Sequence, residues 1–520
     1  MPLAGSSKTL ECRVDQPTGN FHEYAIGSDS KVVFNKLSGA LILADSKWWD
    51  SLFLDPFFGV NGSELDGLSS QEFQTLKDLG FVLNDSRFKK FADKIRRFGE
   101  DKKKTRPITF FITPQLTCPM GCVYCFEEND RKKRGVKKRL LVEDIPAIKK
   151  TIDEYTRLTR LSSDHIALAF FGGEPLISEL SEFNVGLFEL AQKEGFFVDV
   201  ITSGVSIDDF YHELLAKNKN IIREVNVTLD GPKEVHDTVR PLRSGAPSYD
   251  LIKKNIQKML DNGVRVLVKQ NFGSKTINGF EKFIDDLVGY GWYDSSVFVH
   301  GVNMVKSYGG VDSGNQEIDE TAANLRIIET FKKPKYAKLL PKFRLEGMKL
   351  IEYFSHALHL LTFKSAGGKI MNKYDGYPRY AHCHPSDGTT INISYNGNIC
   401  SCNWFQGKDL NFGNIFSKPD FEGMAKMHNV NVMDNSYCSS CDIATTCGGG
   451  CLNDQYEMGK PAYYRKCQKQ AYEIQQRFLQ SVFQKKWADA KLNGKKFKVL
   501  SAGFDFDYKY ENRILLQPSE

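Results

Sequence analysis

From Ile108 onward one pattern repeats. Short apolar runs, Ile108 to Ile112, Ile166 to Phe171, Phe197 to Ile201, Val225 to Leu229, Val264 to Val268 and Val297 to Val299, alternate with amphipathic stretches such as Val142 to Leu158, Glu179 to Glu194 and Ile252 to Leu260. Strands that alternate with helices form βα units and pair in parallel. Six units fit between residues 107 and 310, which predicts an α/β fold built on a partial (β/α)6 TIM-like barrel. In such barrels the chemistry sits in the loops at the C-terminal ends of the strands. Functional residues are therefore expected just past each apolar run.

The chain has 520 residues, enough for two or three domains. Its net charge of +6 is small for that length and argues against a nucleic-acid partner, which needs a concentrated basic face. The run Arg131-Lys-Lys-Arg-Gly-Val-Lys-Lys-Arg139 reads as a solvated linker in preference to a site for an acidic partner. Met1 to Lys8 lacks the apolar core of a secretory signal, and no apolar run approaches about 18 residues. The expectation is a cytoplasmic protein with no membrane partner. Twelve cysteines in that compartment point to metal rather than disulfides, and ten of them fall into two patterned groups.

Residues 1–88 look like a small unit. Tyr24 to Ile26 and Lys31 to Phe34 read as strands, with Leu37 to Leu43 a third apolar segment. Ser69-x-x-Glu72 is a capping-box pattern opening a helix with Phe73, Leu76 and Leu79 inward. Gly80 stops it and Phe81 to Leu83 comes next as a strand, a pattern that suits a winged-helix-like domain. A basic linker, Lys89 to Arg106, leads into the barrel at 107–310. A helical bridge is expected at 311–379, a cysteine-rich domain at 380–470, and a C-terminal helix and tail at 471–520. That helix, near Gln470 to Trp487, places Ala471, Ile474, Phe478 and Val482 on one face.

The first strand runs into Cys118-x3-Cys122-x2-Cys125. Three thiolates so placed can hold three irons of a cubane [4Fe–4S] cluster and leave the fourth iron open to a small molecule; a zinc knuckle or three unrelated buried cysteines are the bland alternatives. The second strand runs into Gly172-Gly173-Glu174-Pro175, where glycines let a ligand approach the backbone. Thr202 and Ser203 come after the third strand. Thr228-Leu229-Asp230-Gly231-Pro232 comes after the fourth, with His236, Asp237 and Arg240 close behind, and Asn271 after the fifth. The second cysteine group comprises Cys383, the Gly397-x4-Cys402 pair, Cys438-x2-Cys441-x5-Cys447-x3-Cys451 and Cys467.

In this order the motifs resemble those of the radical S-adenosylmethionine (SAM) enzymes, and the second cysteine group resembles the SPASM extension of peptide-modifying members. The resemblance implies that Cys118, Cys122 and Cys125 are the catalytic cluster ligands. Gly172, Gly173, Glu174 and Pro175 would receive the SAM ammonium. Thr202, Ser203, Thr228 and Asp230 would meet the ribose, Arg240 the carboxylate, and Tyr124 the adenine, with Asn271 a further contact. Two auxiliary [4Fe–4S] clusters are implied, three clusters in all. Cys438, Cys441, Cys447 and Cys467 would hold one. Cys383, Cys402 and Cys451 would hold the other, leaving an open iron or recruiting His382, His384 or Cys400. Cys12 is left as an ordinary thiol.

The implied activity is reductive cleavage of SAM to a 5′-deoxyadenosyl radical that takes hydrogen from a ribosomally made precursor peptide, giving a thioether or carbon–carbon crosslink. The N-terminal domain would bind the leader as an added strand. A flavodoxin- or ferredoxin-type protein would supply the electron. A sulfatase maturase, making formylglycine, is the rival within the superfamily, and there an aspartate base comes directly after the Gly-x4-Cys cysteine. Here Asn403 comes after Cys402, and asparagine takes no proton at neutral pH. Peptide epimerisation or oxidation, and a non-catalytic zinc scaffold, are the other readings. Asp387, Asp434 and His300 are guesses for a general base.

Overall fold

The computed structural model describes residues 108–128, 139–159, 166–305, 333–345, 388–403, 411–428 and 491–501 without interruption. Residues 16–17, 21–51, 68–101, 131, 318–331, 431–434, 438 and 448–449 are described in whole or in part. Near the N-terminus β1 (Gln16–Pro17) precedes a meander of β2 (Phe21–Ile26), β3 (Ser30–Asn35) and β4 (Leu41–Asp45). Helix Ser70–Asp78 begins with the expected capping box: Glu72 N–H donates to Ser69 Oγ at 3.2 Å and Ser69 N–H donates to Glu72 Oε2 at 2.9 Å. The strand expected at Phe81 to Leu83 is β5 (Val82–Leu83), paired antiparallel with β1.

Six parallel strands lie where the apolar runs predict them. They are β6 (Ile108–Ile112), β7 (Ile166–Phe170), β8 (Phe197–Thr202), β9 (Ile222–Thr228), β10 (Val266–Phe272) and β11 (Phe298–Met304), each beside the next. The alternation along β6 shows how the sheet is covered. Ile108, Phe110 and Ile112 are buried, and Phe110 meets Tyr155 of helix Ile145–Thr159 edge-on at 5.9 Å. Thr109 and Phe111 point to the other face. β7 is buried along its whole length, as a central strand between two covered faces must be.

Two additions were not legible in the pattern. β12 (Phe343–Leu345), from the expected helical bridge, pairs parallel with β11, and β13 (Thr390–Ile393), from the cysteine-rich region, pairs parallel with β6. β14 (Ile399–Cys400) folds back on β13, which completes a nine-stranded sheet. The cysteine-rich region is thus joined to the first barrel strand, with Thr113 N–H donating to the Ile393 carbonyl at 2.9 Å.

The chain then returns to its beginning. An Asn493–Gly494 turn, both residues at positive φ, leads into β15 (Phe497–Ser501), which pairs antiparallel with β4 and makes the N-terminal sheet four-stranded. Phe497 is buried and stacks on Trp48, ring centroids 5.9 Å apart. Val33, Ile42, Ala44, Trp49, Leu76 and Phe81 belong to the same apolar cluster, while Tyr24, Ile26, Val32, Leu41 and Leu43 join the main core. Phe497→Ala should lower stability by about 3 kcal/mol, read as an earlier denaturant midpoint of the tryptophan signal. An unchanged midpoint would show that β15 does not hold the sheet. The helix expected near Gln470 to Trp487 lies outside the described residues. Among the described residues no helix is long and apolar enough to cross a membrane.

Candidate active site

The loop leaving β6 carries the three cysteines and is fastened at several points. Gly121 N–H donates to the Pro241 carbonyl at 2.7 Å, Val123 N–H to Val239 at 3.0 Å, and Arg243 N–H to Pro119 at 2.7 Å. Arg243 Nε donates to the Cys118 carbonyl at 2.9 Å, and Arg131 Nε to the Leu116 carbonyl at 2.7 Å. Burial, with Glu174 nearby, pushes the Cys118 thiol up to about 12. Burial, with Glu127 nearby, pushes Cys125 up to about 11, and burial raises Cys122 as well. Such thiols ionise only when a positive centre takes the thiolate, as a metal does.

The glycines after β7 are required by close approach. Gly172 and Gly173 have φ of +79° and +54°. A Cβ on Gly172 would lie 2.1 Å from Thr113 Cγ2, and one on Gly173 would lie 2.4 Å from the Thr117 carbonyl oxygen. Gly173→Ala must therefore push the cysteine loop away. We expect the purified variant to lose iron from this site, and full iron occupancy would refute the packing argument. Glu127, two residues after Cys125, accepts from Gly173 N–H at 2.8 Å and ties the two loops together. Glu174 is fully buried. Its carboxylate accepts from Thr202 Oγ1 at 2.5 Å, from Ser203 N–H at 2.7 Å and from Ser203 Oγ. Pro175 lends its carbonyl to Asn184 Nδ2 at 2.8 Å.

Asp230 is the centre of a second cluster and is fully buried. Tyr124 donates its hydroxyl to Asp230. Asn271 donates its backbone N–H at 2.7 Å and its amide at 3.1 Å, and Arg240 Nε stands 4.0 Å away. Arg240 Nη1 also donates to the Tyr124 hydroxyl at 3.1 Å. Burial pushes the Asp230 carboxyl up, and Arg240 works against it. Asp230 N–H donates to His236 Nδ1 at 3.0 Å, which fixes a neutral imidazole whose Nε2 faces Ser248 Oγ at 3.0 Å. Thr228 is buried at the end of β9. Asn271 lies within β10, not after it as the sequence suggested, because that strand runs on to Phe272. Every barrel residue singled out by the motifs stands at the C-terminal end of β6 to β10. Residues 112–287 match the family model of the Radical SAM superfamily.

The barrel is a radical SAM domain, and the protein is an enzyme.

Among relatives, a serine-type anaerobic sulfatase-maturating enzyme of Bacteroides thetaiotaomicron is 22% identical over 385 residues, 70% of this chain and 87% of that protein. A cysteine-type anaerobic sulfatase-maturating enzyme of Clostridium perfringens is 28% identical over 157 residues, 28% of this chain and 40% of that protein. Among solved structures, native anSMEcpe with bound AdoMet aligns with a TM-score of 0.52 and 18% identity over 74% of this chain and 100% of that one. Streptococcus suis SuiB bound to precursor peptide SuiA aligns with a TM-score of 0.52 and 16% identity over 87% of this chain and 99% of that one. At these identities the likeness is one of fold.

SAM and a [4Fe–4S] cluster are the cofactors of a radical SAM enzyme, and the residues present fit them. Three thiols share one loop, Gly172 and Gly173 leave no room for side chains, and Arg240 Nε is buried with no hydrogen-bond partner. Of the second cysteine group, Cys402 and Cys438 are described and half-buried. Cys383, Cys441, Cys447, Cys451, Cys467, His382 and His384 lie outside the described residues, as does Asp387. Cys402 Sγ stands 3.6 Å from Asn403 Oδ1. Cys400 is buried in β14, and burial pushes its thiol up to about 12.

His300 is not placed to act as a base. It is fully buried among Phe280, Phe283 and Phe343, its Nδ1 meets Tyr293 at 2.8 Å, and burial pushes it down to about 3. Asp434 is held by Arg96 Nε at 2.6 Å, a link between the basic linker and the cysteine-rich region. Sequence reasoning missed Glu127, Glu128, Arg131 and Arg243. Their one signal is charge beside the cysteine and Arg240 motifs.

Proposed function

We propose that this radical SAM enzyme matures a ribosomally made precursor peptide and forms a thioether or carbon–carbon crosslink. When bound, SAM and the cluster supply a carbon-centred radical able to take hydrogen from an unactivated position. Each part of the site then has a task. Cys118, Cys122 and Cys125 hold the cluster. Arg240, whose Nε has no hydrogen-bond partner, receives the SAM carboxylate. The carboxylate of Glu174 is engaged by Thr202 and Ser203, so backbone carbonyls of Gly172, Gly173 and Glu174 meet the ammonium and Glu174 orders the turn. Tyr124, Thr228, Asp230 and Asn271 line the nucleoside side. Cys383, Cys402, Cys438, Cys441, Cys447, Cys451 and Cys467 hold two auxiliary clusters. The protein is placed in the cytoplasm, with a flavodoxin- or ferredoxin-type electron donor.

The observation that carries this reading is Asn403. It stands next to Cys402, accepts at its Oδ1, and offers no base for the thiol- or alcohol-oxidising step of a sulfatase maturase. The N-terminal sheet is consistent with leader binding by strand addition, and because β15 covers β4, a leader would add at β2 or outside β15. A second reading, formylglycine formation, is favoured by the sulfatase-maturating activity of the sequence relatives. The deciding experiment is anaerobic co-expression with short peptides encoded beside this gene, then intact mass and fragmentation. Loss of two hydrogens located to a crosslink supports the proposal. A product trapped by hydroxylamine as an aldehyde overturns it in favour of formylglycine.

A further inference from the structure

Arg131 opens the basic run that reads as a linker, yet its guanidinium is taken inside. Its side chain is only 9% exposed. Nε donates to the carbonyl of Leu116, two residues before the first cysteine, at 2.7 Å. Nη1 donates to Glu128, three residues after the last. Nη2 is buried with no partner. Glu128 also accepts from Arg243 Nη2 at 2.7 Å, and Arg243 Nε holds the Cys118 carbonyl. Two guanidiniums thus share the Glu128 carboxylate, and a second carboxylate, Glu127, stands beside Cys125 and also acts on Arg131. The field of Arg131 acts on Cys118, Cys122 and Cys125 alike.

A buried N–H left unpaired costs about 1–3 kcal/mol, so it calls for an acceptor. A [4Fe–4S] cluster with three thiolate ligands passes from one negative charge to two on reduction, and a nearby cation stabilises the second state more than the first. We infer that Arg131 is a positioning residue for the cluster held by Cys118, Cys122 and Cys125: its unpaired Nη2 N–H donates to that cluster, and its positive charge makes the cluster easier to reduce. This rests on the cluster reading of the three cysteines and is independent of which peptide is modified.

The opposed charges give the test its sign. The full chain is reconstituted anaerobically as wild type, Arg131→Gln, Arg131→Lys and Glu128→Gln, and the cluster whose paramagnetic signal responds to added SAM is titrated potentiometrically. At a fixed potential the ratio of reduced to oxidised cluster should fall about tenfold in Arg131→Gln, stay near wild type in Arg131→Lys, and rise in Glu128→Gln. Iron content should be unchanged in all three. Ratios unmoved in both glutamine variants, or moved in the same direction, overturn the inference. Equal loss of iron from Arg131→Gln and Arg131→Lys also overturns it and leaves Arg131 as a clamp on Leu116. A wild-type chain that binds no iron at these cysteines fails at the cluster reading itself, a result distinct from a loaded chain whose potential does not respond.

Discussion

Alanine at Cys118, Cys122 and Cys125 together should reduce SAM cleavage to the level of protein-free controls while the iron that the proposal assigns to the C-terminal cysteines remains. The three half-buried thiols share one loop, and desolvation raises the pKa of each. Among the described residues no other cysteine lies in the loops that leave β6 to β10. The loop's fastening by Arg243, Arg131 and the Pro241 carbonyl uses backbone and charged groups, not sulfur, so the fold should survive the change. The check is 5′-deoxyadenosine and methionine release with dithionite, beside iron and sulfide content. A triple variant that still releases 5′-deoxyadenosine would falsify the assignment of the site.

Asp230→Ala should be the most destabilising single change in the barrel mouth, by about 3–5 kcal/mol. Its carboxylate accepts from Tyr124 and twice from Asn271, and it is the acid beside Arg240, all in a fully buried position. Removing it leaves Arg240 charged and buried with no counter-charge at that position. Asp230→Asn keeps the shape and part of the hydrogen bonding, so it should cost less while still disturbing Tyr124 and Arg240. Denaturant midpoints of both variants, with SAM binding measured by equilibrium dialysis, read the two effects separately. A wild-type midpoint for Asp230→Ala would mean that the cluster around Tyr124 is not a stabilising unit.

The barrel was legible because each of its strands carries a short, mainly apolar stretch bounded by turns, and the candidate site was legible because its groups stand at or just past the ends of those stretches. Gly172, Asp230 and Arg240 needed only order and spacing. β12 and β13 were not legible, since runs of three and four residues carry too little alternation to stand out, and their partners lie far away in the chain. β15 reads as tail for the same reason: Phe497-Lys-Val-Leu-Ser501 has meaning only against β4. Arg131 escapes a sequence reading on a physical ground. A guanidinium in a run of cations looks solvated, and only the fold reveals that Leu116 and Glu128 hold this one. His300 goes the other way: a histidine on a barrel strand suggests chemistry, and aromatic packing encloses it.

The pairing of β15 with β4 also sets an order of events during synthesis. β2, β3 and β4 leave the ribosome early, but the strand that covers Leu41–Asp45 emerges only after the whole barrel has been made. For that interval the nascent chain carries an uncovered β edge with apolar residues on both faces, the kind of surface that pairs with other chains. Slowing translation ahead of residue 497 would lengthen the exposure, so yield should depend on elongation rate and on holding chaperones far more than the stability of the finished enzyme would suggest.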